Sequence, residues 1–204
     1  MHKKGPRQHR RRSESARFEQ RKRFLIVHNG RVTEEELIQL YKEQFRRVIL
    51  KSKFNSGSID DAILKAIELA HAEQLKGDGF DYICVIGDVD NYSIAQLRSF
   101  VKHAAESGVI LLLSNPCIEV WLGCYFGNIS NAFATISGAQ QEAGKKDLIT
   151  GKHINKELLK DYQLAIKVAE KLREKNGTDI ITSKPSTDID LFVKELLHSE
   201  EGTV

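Results

Sequence analysis

Asp88 and Asp90 stand one residue apart, directly after an apolar run from Tyr82 to Ile86 that Gly87 breaks. A continuous apolar run of this length reads as a strand buried on both faces. The two carboxylates then fall at a strand's carboxyl end, the edge where open parallel sheets bind ligands. Their oxygens suit one hard cation, Mg²⁺ or Mn²⁺. The same spacing also serves a plain turn, because aspartate tolerates turn geometry and caps a following helix. On spacing alone both readings stand.

The elements that must position the pair follow from periodicity. Phe24–Val27 reads as a first buried strand, ending at His28–Asn29–Gly30. Thr33 begins a helix, with Glu36 three residues later as a capping box and Leu37, Leu40 and Tyr41 as the apolar stripe. Val48–Leu50 is a short strand. A turn over Asn55–Ser58 leads into a helix from Ile59 to about Leu75, whose Ile59, Ala62, Ile63, Ala66, Ile67 and Ala70 share one face. The Tyr82–Asp90 strand comes next, then a helix from about Ser93 to Ala105 and a strand over Val109–Leu113. This alternation argues an α/β fold: a small, mainly parallel sheet with helices on both faces.

Beyond Leu113 the pattern changes. Ser114–Asn115–Pro116 makes a turn, and Cys117–Phe126 reads as a largely apolar helix carrying Glu119 and Trp121. The polar stretch Gly127–Gly151 reads as a mobile insertion. A helix is expected from about Asn155 to Lys175, and a last one over Thr187–Leu197, with Thr187 as its cap and Asp190 three residues on.

The chain has 204 residues and a net charge of +3. Residues 1–23 hold ten Lys/Arg against Glu14 and Glu19, a net of +8, which leaves −5 for the rest. The expectation is a basic arm over 1–23 and one domain over 24–204. Arg10, Arg11, Arg12, Arg21 and Lys22 of that arm could lie along phosphates, and a solubilising tail is the plain alternative. The charges are followed by no apolar stretch of signal length, and nothing later is long enough to span a bilayer. Cys84, Cys117 and Cys124 lack paired zinc spacing and read as reduced core thiols of a cytoplasmic protein.

Four blocks carry a resemblance to a known family. They are His28–Asn29–Gly30–Arg31–Val32–Thr33–Glu34, Asp88–Val89–Asp90, Ser114–Asn115–Pro116–Cys117–Ile118–Glu119–Val120–Trp121 and Lys184–Pro185–Ser186–Thr187. In this order the chain resembles the RloB family of prokaryotic defence-associated proteins, whose pattern runs CEGxxTE, an aspartate pair, SNPCFExW and NPST. The resemblance implies a Toprim-like fold and a Mg²⁺- or Mn²⁺-dependent nuclease acting on DNA or RNA. Asp88 and Asp90 would hold the metal, and Ser114, Asn115, Lys184 and Ser186 belong to the remaining motif blocks. It further implies a separate ATPase partner of the ABC or AAA type, no membrane, and leaves room for a homo-oligomer.

The departure from the family pattern lies at the catalytic position. Asn29 stands where the family has its first glutamate. Asparagine can hydrogen-bond a phosphate or a metal-bound water, but it exchanges no proton near neutral pH. Glu34, Glu119 and His28 are the groups that could stand in. His28 faces away from Asn29 if the strand persists, because consecutive residues alternate. A Toprim-like subunit that binds without cutting is the alternative function.

Overall fold

The computed structural model describes residues 21–201. In chain order the first half runs β1 (Arg23–His28), α1 (Thr33–Gln44), β2 (Ile49–Phe54), α2 (Ile59–Gln74), β3 (Tyr82–Asp88), α3 (Ile94–Glu106) and β4 (Ile110–Asn115). The second half runs α4 (Glu119–Cys124), a 3-10 turn, α5 (Ile136–Lys145), β5 (Ile149–Thr150), β6 (His153–Ile154), a second 3-10 turn, α6 (Tyr162–Asn176), β7 (Ser186–Thr187) and α7 (Ile189–Glu201). β5 and β6 form a hairpin of their own. The main sheet has the order β2-β1-β3-β4-β7, with four parallel strands and β7 antiparallel on the edge. This arrangement is the expected α/β fold and is consistent with the Toprim-like architecture.

Side-chain alternation along the strands builds two cores. Phe24, Ile26, Cys84, Ile86 and Leu112 pack under α1 and α4 to α7, whereas Val27, Val85 and Leu113 pack under α2 and α3. Asp88 keeps the parity of Ile86 and points to the α1 and α4 side. The chain leaves β1 for β2 on one flank and crosses back to β3 on the other. The reversal falls between β1 and β3, so the loops after these strands flank the crevice where such sheets bind ligands.

Side-chain caps start four of the helices: Thr135 Oγ1 accepts from Gly138 N at α5, Asp161 Oδ1 accepts from Leu164 N at α6, and α2 and α3 have full capping boxes. Ser58 caps α2 with Asp61 as the reciprocal partner, and Ser93 caps α3 with Gln96. The expected box at Thr33 and Glu36 does not form. α1 has Val32 at its cap position with no side-chain cap bond. Thr33 Oγ1 instead donates to the Lys152 carbonyl at 2.9 Å, while Glu36 accepts from Ile154 N at 2.8 Å and pairs with His153 Nδ1 at 2.6 Å. The β5–β6 hairpin lies across the start of α1 and supplies partners that the sequence places more than 110 residues away.

The stretch Gly127–Gly151 is ordered structure, which corrects its reading as a mobile insertion. Phe133, Ala139, Ala143 and Leu148 are fully buried, and the segment packs against α4. Alanines make the buried face of α5, so their small side chains left no apolar stripe to detect. Other boundaries shift as well. The β3 strand stops at Asp88, and β2 extends to Phe54. Only Glu119–Cys124 of the Cys117–Phe126 segment is helical, α6 begins at Tyr162 after Leu158 turns outward, and Thr187 lies in β7 rather than at a helix cap. The three cysteines are free and buried. Among the described residues no helix is long and apolar enough to cross a membrane.

One polar bond ties the second half to the first, and another locks the second half together. Trp121 Nε1 donates to the Tyr41 hydroxyl at 2.7 Å in the core, tying α4 to α1. Arg173 of α6 grips the fully buried Asp190 of α7 with two bonds, 2.6 and 2.5 Å, and also donates to the Thr187 carbonyl. Removing one partner of such a pair strands the other. Asp190→Asn is therefore expected to cost about 3 kcal/mol in urea unfolding, with the slope unchanged. Lys156→Ala, at the exposed pair with Glu43, should cost under about 1 kcal/mol.

Candidate active site

A cavity of about 540 Å³ opens at the carboxyl ends of β1 and β3. Four carboxylates line it: Glu34 from the first turn of α1, Asp88 at the end of β3, Asp90 from the turn after it, and Glu119 at the start of α4. Two cations, Arg31 and Lys152, line the same cavity.

Asp88 is the most constrained of the four. Its Oδ1 is buried and has no hydrogen-bond partner. Burial pushes its carboxyl well above the usual range, the charges of Glu34, Glu119 and Asp90 add to the effect, and the Ile118 N–H opposes it. Glu34 is also raised, first by burial and then by Glu119, against its own backbone N–H and Lys152. Asp90 is raised by burial and steadied by backbone N–H groups; its Oδ1 accepts from Asn91 Nδ2 at 2.8 Å. The Glu34 carboxylate lies against Gly30, where a Cβ would displace it from its place in the cluster.

Asn29 lies beside the cluster, in a hollow of about 190 Å³ that Glu34, Asp88 and Tyr92 also line. Its amide donates to the Gly57 carbonyl at the entry to α2, and its Oδ1 is buried without a donor. His28 is fully buried on the other face of β1, with Nδ1 at 2.8 Å from the Gly30 carbonyl and Nε2 at 2.9 Å from Glu35 Oε2. It lines neither hollow and is no substitute for the missing glutamate.

The remaining motif residues do not reach the cavity. Ser114 pairs in register with Thr187, Oγ to Oγ1 at 2.9 Å, and Asn115 pairs with Ser186. Asn115 Nδ2 donates to the carbonyls of Ile180 and Ile181 at 2.8 and 3.0 Å. Ser186 is buried, and Lys184 is exposed beside it. These residues zip β7 onto β4. Their link to the site is indirect: the Ser114 carbonyl accepts from Val89 N at 3.0 Å and holds the turn between Asp88 and Asp90.

Arg10, Arg11 and Arg12 lie outside the described residues. Arg21 and Lys22 are exposed at the amino edge of the sheet, opposite the cavity, with Lys22 Nζ 3.6 Å from Asp81. Sequence reading missed Arg31 and Lys152; a glycine followed by lysine in a polar stretch was the one available sign of a turn carrying a charge.

Among the described residues no three His, Cys, Asp or Glu side chains converge tightly enough to enclose a divalent cation. The donor chemistry nevertheless fits: all four are hard carboxylates, and Asp88 presents a buried oxygen with no other partner.

A family model described as RloB-like protein matches residues 24–196. The chain belongs to the RloB-like family. No curated protein and no solved structure matches it. The span shared with the RloB-like model takes in every residue lining the cavity and leaves the basic arm outside.

The buried charge has a measurable cost. The folded chain holds the Asp88 proton to higher pH than the unfolded chain does, so stability falls as pH rises through that interval. In EDTA at pH 8, Asp88→Asn should therefore stabilise the protein by about 1–2 kcal/mol in urea unfolding. Below pH 4 the gain should vanish, and an equal gain at both pH values would show that charge is not its cause.

Proposed function

We propose that the chain is a metal-dependent nuclease of prokaryotic antiviral defence, cutting phosphodiester bonds of DNA or RNA at the acidic cavity. The observation that carries this reading is the meeting of four carboxylates from three separate segments of the chain, with one oxygen of Asp88 buried and unpartnered among them. A packed protein does not gather like charges at a strand end for stability, and such clusters mark functional sites.

Asp88 and Asp90 would hold Mg²⁺ or Mn²⁺, with Glu34 or Glu119 completing the donors. When bound, the ion supplies positive charge to stabilise phosphoryl oxygens. Glu34 and Glu119 face the same cavity and can exchange a proton, which Asn29 cannot. Asn29 positions instead: its bond to the Gly57 carbonyl joins the loop after β1 to the start of α2. Control by a separate ATPase of the ABC or AAA type, which family membership suggests, belongs to this reading.

A second reading is a subunit that binds without cutting. The specific observation in its favour is Asn29, an uncharged side chain committed to a backbone carbonyl at the family's glutamate position.

Two measurements separate the readings. Calorimetry with Mn²⁺ should show binding that Asp88→Ala and Asp90→Ala together abolish; unchanged affinity would remove the metal site. Asn29→Glu should raise cleavage of labelled DNA or RNA in Mn²⁺, by up to ~10²–10⁴-fold, the range of acid–base assistance. If neither the native chain nor Asn29→Glu cuts any strand, with or without an ATPase partner, the binding reading replaces the nuclease.

A further inference from the structure

We propose that Lys152 and Arg31 form an anion grip on the rim of the acidic cavity and bind successive phosphates of a nucleic-acid strand. This rests on the nuclease reading for the nature of the ligand, and it adds the residues that recognise it.

Three observations point there. Both side chains line the cavity and are exposed, and among the described residues neither forms an ion pair, although four carboxylates line the same walls. Many other cations are paired: Lys51 and Lys76 with Glu73, Arg98 with Asp179, Lys194 with Glu170 and Asp190. Two charges left without a partner beside an acidic cluster are free for an anion.

Each charge is also held in place. The Arg31 guanidinium lies over the Phe54 ring, 5.3 Å from its centroid, which restricts its side chain beside the cavity. Lys152 follows Gly151, whose φ of +68° makes the hairpin turn, and its carbonyl accepts from Thr33 Oγ1. His153 and Ile154 then bind Glu36. The lysine is thereby fastened to the same helical turn that carries Glu34.

The chemistry selects the ligand class. A lone cation satisfies only the carboxylates, and a lone carboxylate or sulfate satisfies only Arg31 and Lys152. A phosphodiester with its divalent counterion satisfies both halves. Because both cations are solvent-exposed where they line the cavity, a chain of phosphates can run past them, which a closed pocket for one nucleotide would prevent.

The test measures binding of the full chain to fluorescein-labelled single-stranded DNA, RNA and duplex DNA in Ca²⁺, by anisotropy across a range of NaCl concentrations. Lys152→Ala and Arg31→Ala should each lower the slope of log K against log[NaCl] by about 0.7–0.9, the release of one phosphate's counterion. Lys152→Arg should keep the slope, and so should Lys102→Ala on α3. Unchanged slopes in both alanine variants, each confirmed folded by its melting curve, would overturn the grip. So would failure of the native chain to bind any strand, or competition by inorganic phosphate as strong as by the strand at equal phosphate concentration. Strands that bind with the expected slopes yet are never cut in Mn²⁺ would leave the grip standing and end the nuclease reading. Strands cut normally with unchanged slopes would do the reverse.

Discussion

A buried carboxylate oxygen without a hydrogen-bond partner is among the costlier features a small α/β domain can carry, and Asp88 presents one at the centre of its sheet edge. Much of the surrounding architecture serves to keep it there. The parallel pairing of β1 with β3 holds the strand as far as Ile86, and the pairing of β3 with β4 continues to Asp88 itself, opposite Ser114. The polar zip of β4 onto β7 then holds the Ser114 carbonyl where it catches the turn after Asp88.

The other acidic groups depend on helix packing. Glu34 and Glu119 approach Asp88 from α1 and α4, whose separation is set by the Trp121–Tyr41 bond and the aromatic packing around it. The residues that looked most distinctive in the sequence, the Ser114–Trp121 block and the Lys184–Thr187 block, are thus mainly scaffold. Only Glu119, with Cys117 and Ile118 beside it, turns from that block into the cavity.

What was legible in the sequence came from local physics. Apolar runs gave the parallel strands, helical spacing gave α2 and α3, and the position of Asp88 at a strand end followed from Tyr82–Ile86 alone. What stayed hidden depended on partners distant in sequence. Thr33 and Glu36 satisfy a capping pattern locally, but a hairpin from residues 149–154 bonds them first. The buried alanines of α5 carry too little apolar area to mark a face, and Lys152 gains its place only through that hairpin. The two-residue strand β7 is too short to show any alternation.

The fastening of the hairpin to α1 bears on how a strand would reach the acidic residues. Lifting the hairpin as a flap would break the bonds of Thr33 and Glu36 together, at a cost of about 2–4 kcal/mol for partly exposed groups. The lifted form would be at most a few per cent of the population by that estimate. The hairpin is therefore a fixed wall of the cavity and not a flap, and under the proposed nuclease reading a strand would have to enter and leave by the mouth that is already open.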